Sequence, residues 1–150
     1  MSAVAWKFGR GLLGKLQPLI GSWRFEGETQ MGHAVCERVF APVLNESYVE
    51  LRATWNLPKG AYREIALFGK GDDGALSFWS FTSDGKHSAG ALGDGSDVHE
   101  KAICFEAEMP AGRARMIYWP DAQEGFHFAV ESQTKKGWNR FLEQHFRPAE

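Results

Sequence analysis

Cysteine is scarce in this chain: Cys36 and Cys104 are the only two. One pair cannot make a disulfide scaffold, and nothing else suggests secretion. Two buried thiols in a reducing compartment, hence a cytoplasmic protein, are expected. An excess of one charge is also missing. Seventeen basic residues against nineteen acidic ones leave a net charge of −2. No basic block of the kind that nucleic acid or anionic lipid demands is present. Long apolar runs are absent, and no stretch approaches the ~20 residues of a membrane-spanning helix. Lys7, Arg10 and Lys15 lie near the start, but no uninterrupted apolar segment or small-residue cleavage site follows them. No signal peptide is expected.

Glycine and aromatic residues are plentiful. Seventeen glycines, six tryptophans and an aromatic share of 13% suit many short strands joined by glycine turns, with large side chains inside. A chain of 150 residues fits one domain and buries roughly 70% of its unfolded surface without a staple. The organising stretch is Gly21-Ser22-Trp23-Arg24-Phe25-Glu26-Gly27. Trp23 and Phe25 alternate with charged residues, the period-2 signature of a half-buried strand. Gly21 and Gly27 bracket it where a tight entry and a bend favour a residue without Cβ.

Ahead of it, Val4, Phe8, Leu12, Leu16 and Ile20 recur at a spacing that suits one face of a helix, with Leu13 alongside. Gly9, Gly11 and Gly14 weaken that helix, and Pro18 ends it or begins a last tight turn. Residues 1–20 are therefore expected to form a helical lid across one end of a barrel occupying 21–148. A basic membrane-surface anchor is the competing reading, and three basic residues are few for that role.

Nine further strands follow: Ala34–Phe40, Ser47–Trp55, Arg63–Gly69, Leu76–Thr82, His87–Leu92, Ala102–Met109, Arg113–Trp119, Phe126–Gln133 and Trp138–Arg147. Turn chemistry separates them, as in Asp73-Gly74, Asp84-Gly85, Asp94-Gly95, Pro110-Ala111-Gly112 and Lys136-Gly137. With no second helix between strands, βαβ units are excluded. The fold class expected is all-β, a closed antiparallel up-and-down barrel of about ten strands with a short N-terminal helix capping one end. Closure removes the sheet edges that would otherwise pair with other chains.

Parity assigns the inner face. Phe126, Phe128 and Val130 alternate with His127, Ala129 and Glu131. Ile103, Phe105, Ala107 and Met109 form another inner row, and Val49, Leu51, Ala53 and Trp55 a third. Residues 76–81 are apolar on both faces, so their outer face calls for cover by the N-terminal helix or by a second subunit in a homodimer. An interior of Trp55, Phe78, Phe105, Met116, Tyr118, Phe126 and Phe128 with few polar groups is the usual form of a small-molecule site. The polar candidates are Arg38 or Glu37, Ser80, Arg140 and Gln144. Trp138, Arg140, Leu142 and Gln144 share a parity on the last strand, which places Arg140 inside near Trp138. The opposing reading is that the aromatics fill the bore.

The pattern Leu16-x-x-x-Ile20-Gly21-x-Trp23-x-x-x-Gly27-Glu28, then Glu37-Arg38-x-Phe40, resembles the lipocalin-like family known as domain of unknown function 1579. Arg113-x-x-Met116-x-Tyr118, Phe126-x-Phe128-x-x-Glu131-Ser132, Gly137-Trp138 and Phe146-Arg147 are similar as well. The resemblance covers most of residues 16–147 and implies a calycin-type barrel but no activity. It also implies structural roles for Gly21 and Trp23, with Arg147 or Arg140 lying over the indole. More distant likeness to fatty-acid-binding barrels implies that a basic residue on a late strand, here Arg140, meets a carboxylate. Nitrobindin-type barrels use a late histidine for haem, which makes His145 the candidate for that alternative. His33 and Cys36 should face opposite sides of their strand, and His127 should point away from the bore.

Enzymatic activity has little support. Ser77, Ser80 and Ser88 lie in no Gly-x-Ser-x-Gly elbow, and Glu37, Glu50 and Glu64 are the candidates for a carboxylate pair. The function expected is binding of a small hydrophobic or amphipathic molecule, with no cofactor and no metal. The alternatives are a haem-binding barrel or a homodimeric interaction module without a ligand.

Overall fold

A computed structural model describes residues 6–149. Ten strands form one closed antiparallel barrel in sequence order, β1 Gly21–Thr29, β2 Gly32–Val43, β3 Tyr48–Leu57, β4 Gly60–Lys70, β5 Leu76–Thr82, β6 His87–Leu92, β7 Ile103–Met109, β8 Gly112–Pro120, β9 Phe126–Thr134 and β10 Gly137–Pro148. Each strand pairs with its neighbours in sequence, and β1 returns to β10. The short turns between them make this meander the direct outcome of the glycine punctuation.

The helix is shorter than the apolar spacing implies. It is a 3₁₀ helix, Leu12–Leu19. Val4 lies outside the described residues, and Phe8 precedes the helix, exposed, with the Lys15 ammonium 4.4 Å from its ring. Gly11 enters at φ 76°, a left-handed conformation that stops the helix from extending backwards. The lid role holds. Leu16 and Leu19 are fully buried in the interior cluster, and Leu13 packs against it. The Trp23 indole donates to the Leu19 carbonyl at 2.7 Å, tying helix to barrel wall. Among the described residues no helix is long and apolar enough to cross a membrane.

The outer face of 76–81 is not covered by this helix. Tyr48 lies edge-on to Trp79 with ring centroids 6.5 Å apart, while Phe81 stays exposed beside His87. A second, smaller cluster sits outside the barrel, where Val98 and Trp119 pack on Ala102, Cys104 and Ile117. Cys104 therefore lies outside the wall and Cys36 inside it. Both are free and buried, and burial pushes each thiol up to about 12.

One junction differs from the rest. β1 and β2 pair at nine positions, whereas β1 meets β10 only at Trp23 with Pro148 and Arg24 with Arg147. Beyond Arg24 the two strands separate, leaving an open seam that runs toward the end of the barrel opposite the helix.

Candidate functional site

The interior is stratified. Near the helix the inward residues are large and buried: Trp23, Phe40, Phe68, Phe78, Phe105, Phe126 and Phe146. Edge-to-face contacts lock them, such as Trp23 to Phe126 at 4.9 Å and Phe78 to Phe105 at 5.7 Å. Toward the other end, inward residues in the same rows are only half-buried: Phe25, Trp55, Met116, Val130 and Leu142. Solvent reaches them from the open end and from the seam. The seam itself is a cleft of about 630 Å³ lined by Phe25, Met31, Phe141, Leu142 and Gln144, with Glu28 and Glu143 among its polar lining. That volume falls within the ordinary range of small-molecule pockets.

Arg38 lies between these two layers. It comes from β2, opposite Ala53 of β3, and is 1% exposed. One amino group, Nη2, donates to the Tyr118 hydroxyl at 2.7 Å. Its Nε and Nη1 are buried without a hydrogen-bond partner. The guanidinium lies 4.4 Å from the Phe128 ring centre and within 6 Å of Tyr118 and Phe146, an aromatic cage that favours a cation. No ion pair among the described residues involves it. Burial works against its charge, but Tyr118 and Glu64 outweigh burial and hold its pKa above the ordinary value. Burial likewise pushes the Tyr118 phenol up to about 12. That hydroxyl therefore keeps its proton while accepting from Arg38. Gln144 Oε1 is a further buried acceptor without a partner.

The inner aromatic residues stand where parity puts them. Phe78, Phe105, Tyr118, Phe126 and Phe128 are buried, and Trp55 and Met116 border the half-open layer. Gln144 also faces inward. Arg140 does not. A β-bulge between Arg140 and Leu142 adds one residue to β10, so Arg140 opposes Glu131 while Leu142 opposes Val130. The extra residue inverts parity: Trp138 and Arg140 point outward, Leu142 and Gln144 inward. On the outside, Arg140 binds Glu131 and Glu143 at 2.8 Å each and lies 5.0 Å from the Trp119 ring. Beside it Arg115 is buried, bonded to Glu131 at 2.8 Å and to Asp97 at 2.7 Å, beneath Trp138 at 4.4 Å.

Arg147 does not lie over Trp23 either. It stands opposite Arg24 and is exposed, while Pro148 opposes Trp23. Gly21, at φ 138°, starts β1 in a conformation that a side chain rarely adopts, and a Cβ there would come to 3.8 Å from the Trp23 indole. The interior arginine is thus Arg38, one of two residues that parity left open. Glu37 is exposed.

His145, the haem candidate, sits on the outer face beside His127, away from the bore. His33 is outward and exposed, bonded to Glu28 and Glu26, with Cys36 inward as expected. Glu64 faces in and accepts from Ser80 Oγ at 2.5 Å. Glu50 pairs with Arg52 outside at 2.9 Å, so the three glutamates do not converge. Phe25 and Leu142 already had inward parity in the sequence, whereas Phe141 carried no such signal, because it is the extra residue of the bulge. Phe25 borders the cleft because β1 leaves β10 beyond Arg24.

No family model and no curated protein matches this sequence. The closed barrel and its interior are therefore the basis of the functional reading.

Proposed function

We propose that this barrel binds a small amphipathic molecule with an anionic head, in the manner of lipocalin-like carriers. The head, a carboxylate, lies against Arg38 and Tyr118, and the apolar tail runs along Trp55, Met116, Val130 and Leu142 toward the seam. One observation carries the reading: a fully buried guanidinium has two nitrogen groups without hydrogen-bond partners and no direct ion pair, the inward Glu64 acting on it only through space. Such a charge costs several kcal/mol unless an anion compensates it. A carboxylate would bridge one of these nitrogens and the second Nη2 hydrogen, the parallel pair that an arginine fork offers. The Tyr118 hydroxyl proton supplies a third donor, and the cleft bordered by Phe25, Leu142 and Gln144 would take the end of the chain.

The test is displacement of a polyene fatty acid that fluoresces in apolar surroundings. Dodecanoate should compete saturably at one site per chain, and dodecanol should compete at least tenfold more weakly. Equal competition by acid and alcohol would remove Arg38 from the site. No saturable binding would end the proposal.

A further inference from the structure

The outer face carries a second constellation that the interior reading does not use. His127 on β9 and His145 on β10 stand directly opposite each other. Their rings stack at 4.8 Å with a 21° angle between planes. Both turn Nε2 toward one carboxylate, that of Asp121. His127 Nε2 lies 2.8 Å from Asp121 Oδ1, and His145 Nε2 lies 3.6 Å from Oδ2. The second distance is too long for a hydrogen bond, and His145 Nε2 is buried without any partner.

The carboxylate is held from behind. Gln123 N–H donates to Asp121 Oδ2 at 3.1 Å, and the Asp121 N–H donates to the Gly125 carbonyl at 3.2 Å. Gly125 is at φ 86°, and a Cβ there would lie 2.0 Å from the Phe146 carbonyl. Only glycine lets this turn press onto β10 next to His145. Trp119 stacks on the far side of His127 at 5.3 Å and fixes that ring's plane. The three side chains are 20–27% exposed, so the site borders solvent without being lost in it.

We propose that Asp121, His127 and His145 form a binding site for a divalent transition ion of the zinc or copper type. Two imidazole nitrogens and one carboxylate oxygen are the donor set such ions take, with further positions left for water. The donor atoms already lie within 4.8 Å of one another. A zinc ion at roughly 2.0–2.1 Å from each needs only small side-chain rotations to draw them in. It would satisfy the orphaned His145 nitrogen, which no group among the described residues does. Magnesium and calcium, which prefer sets made of oxygen, should not bind.

The experiment is titration of the full chain with Zn²⁺ and Cu²⁺ against a chromophoric chelator, with Mg²⁺ as control. Imidazole resonances are followed by NMR. One ion per chain is expected, with shifts confined to His127 and His145. His145→Ala, His127→Ala and Asp121→Asn should each weaken affinity at least tenfold, while His33→Ala and His99→Ala leave it unchanged. Should an alanine variant fail to fold, the resonance shifts of the unaltered protein still decide. Shifts at His33 or His99 instead, equal affinity in the Asp121→Asn variant, or no binding at all would overturn the assignment.

Discussion

Arg38 donates to the Tyr118 hydroxyl at 2.7 Å in the middle of the barrel, across eighty residues of sequence. Among the described residues it is the one arginine in the bore, and its Nε and Nη1 are buried without a partner. Arg38→Met should abolish the preference for acid over alcohol while keeping the protein folded. Removing a buried charge that has no direct ion pair relieves a desolvation cost, so urea unfolding should show a loss of less than about 1 kcal/mol, or a gain. A large loss would mean that the guanidinium is a structural keystone and not a receptor.

Arg140 separates the two readings of the last strand. Arg140→Ala should leave ligand competition unchanged, because the bulge turns this side chain outward. Its partly exposed pairs with Glu131 and Glu143 suggest a stability loss of no more than about 1 kcal/mol. A tenfold loss of ligand affinity would place it in the bore after all.

Glu131 should behave differently. It is 4% exposed and receives both Arg115 and Arg140. Glu131→Gln leaves the buried Arg115 with Asp97 as its one carboxylate partner, and breaking a buried pair costs about 3 kcal/mol. Denaturant unfolding measures this directly, and a change within error would contradict the network.

Trp23 links lid and wall. Trp23→Phe keeps most of the packing but removes the donor to Leu19, at a cost of about 1 kcal/mol. Trp23→Ala also empties the floor of the barrel and should cost about 3–5 kcal/mol. Equal losses in the two variants would show that the indole hydrogen bond, not the ring, holds the helix.

His33 gives a pH signature away from both sites. Hydrogen bonds that its ring donates to Glu26 and then Glu28 hold its pKa above the ordinary 6.5. A raised value in the folded protein means the contribution is complete below 6.5 and fades as pH rises through the folded value. An NMR titration of the imidazole should show the raised midpoint, with Glu26→Gln returning it toward 6.5. A midpoint at or below 6.5 in the unaltered protein would show that the pairs do not persist.

Much of the wall was legible from the sequence. Leu76–Thr82 and His87–Leu92 lie where the apolar run and the Asp84-Gly85 turn placed them. Phe126, Phe128 and Val130 face in as parity requires, because each strand between tight turns has only two faces to offer. The bulge was not legible. Asn139-Arg140-Phe141-Leu142 reads as unbroken alternation, and only the pairing with Glu131 and Val130 reveals the extra residue. That single insertion accounts for the misplacement of Arg140. The helix misled for a different reason: of the spaced apolar residues Leu16 is buried while Phe8 and Leu12 are exposed, and Gly11 at φ 76° keeps the helix from starting earlier. The Asp121, His127 and His145 group was out of reach, since it depends on strand register and on a turn folded back over β10.

Nine of the ten strand junctions join neighbours along the chain, while the tenth links Trp23 to Pro148. Hairpins can therefore form one after another as soon as each pair of strands exists. Sealing the ring must wait for β10, and it demands the greatest loop-closure entropy for the fewest paired residues. The last bond made in folding should thus be the first to breathe, which would make the seam a swinging door hinged at Arg24 and Arg147.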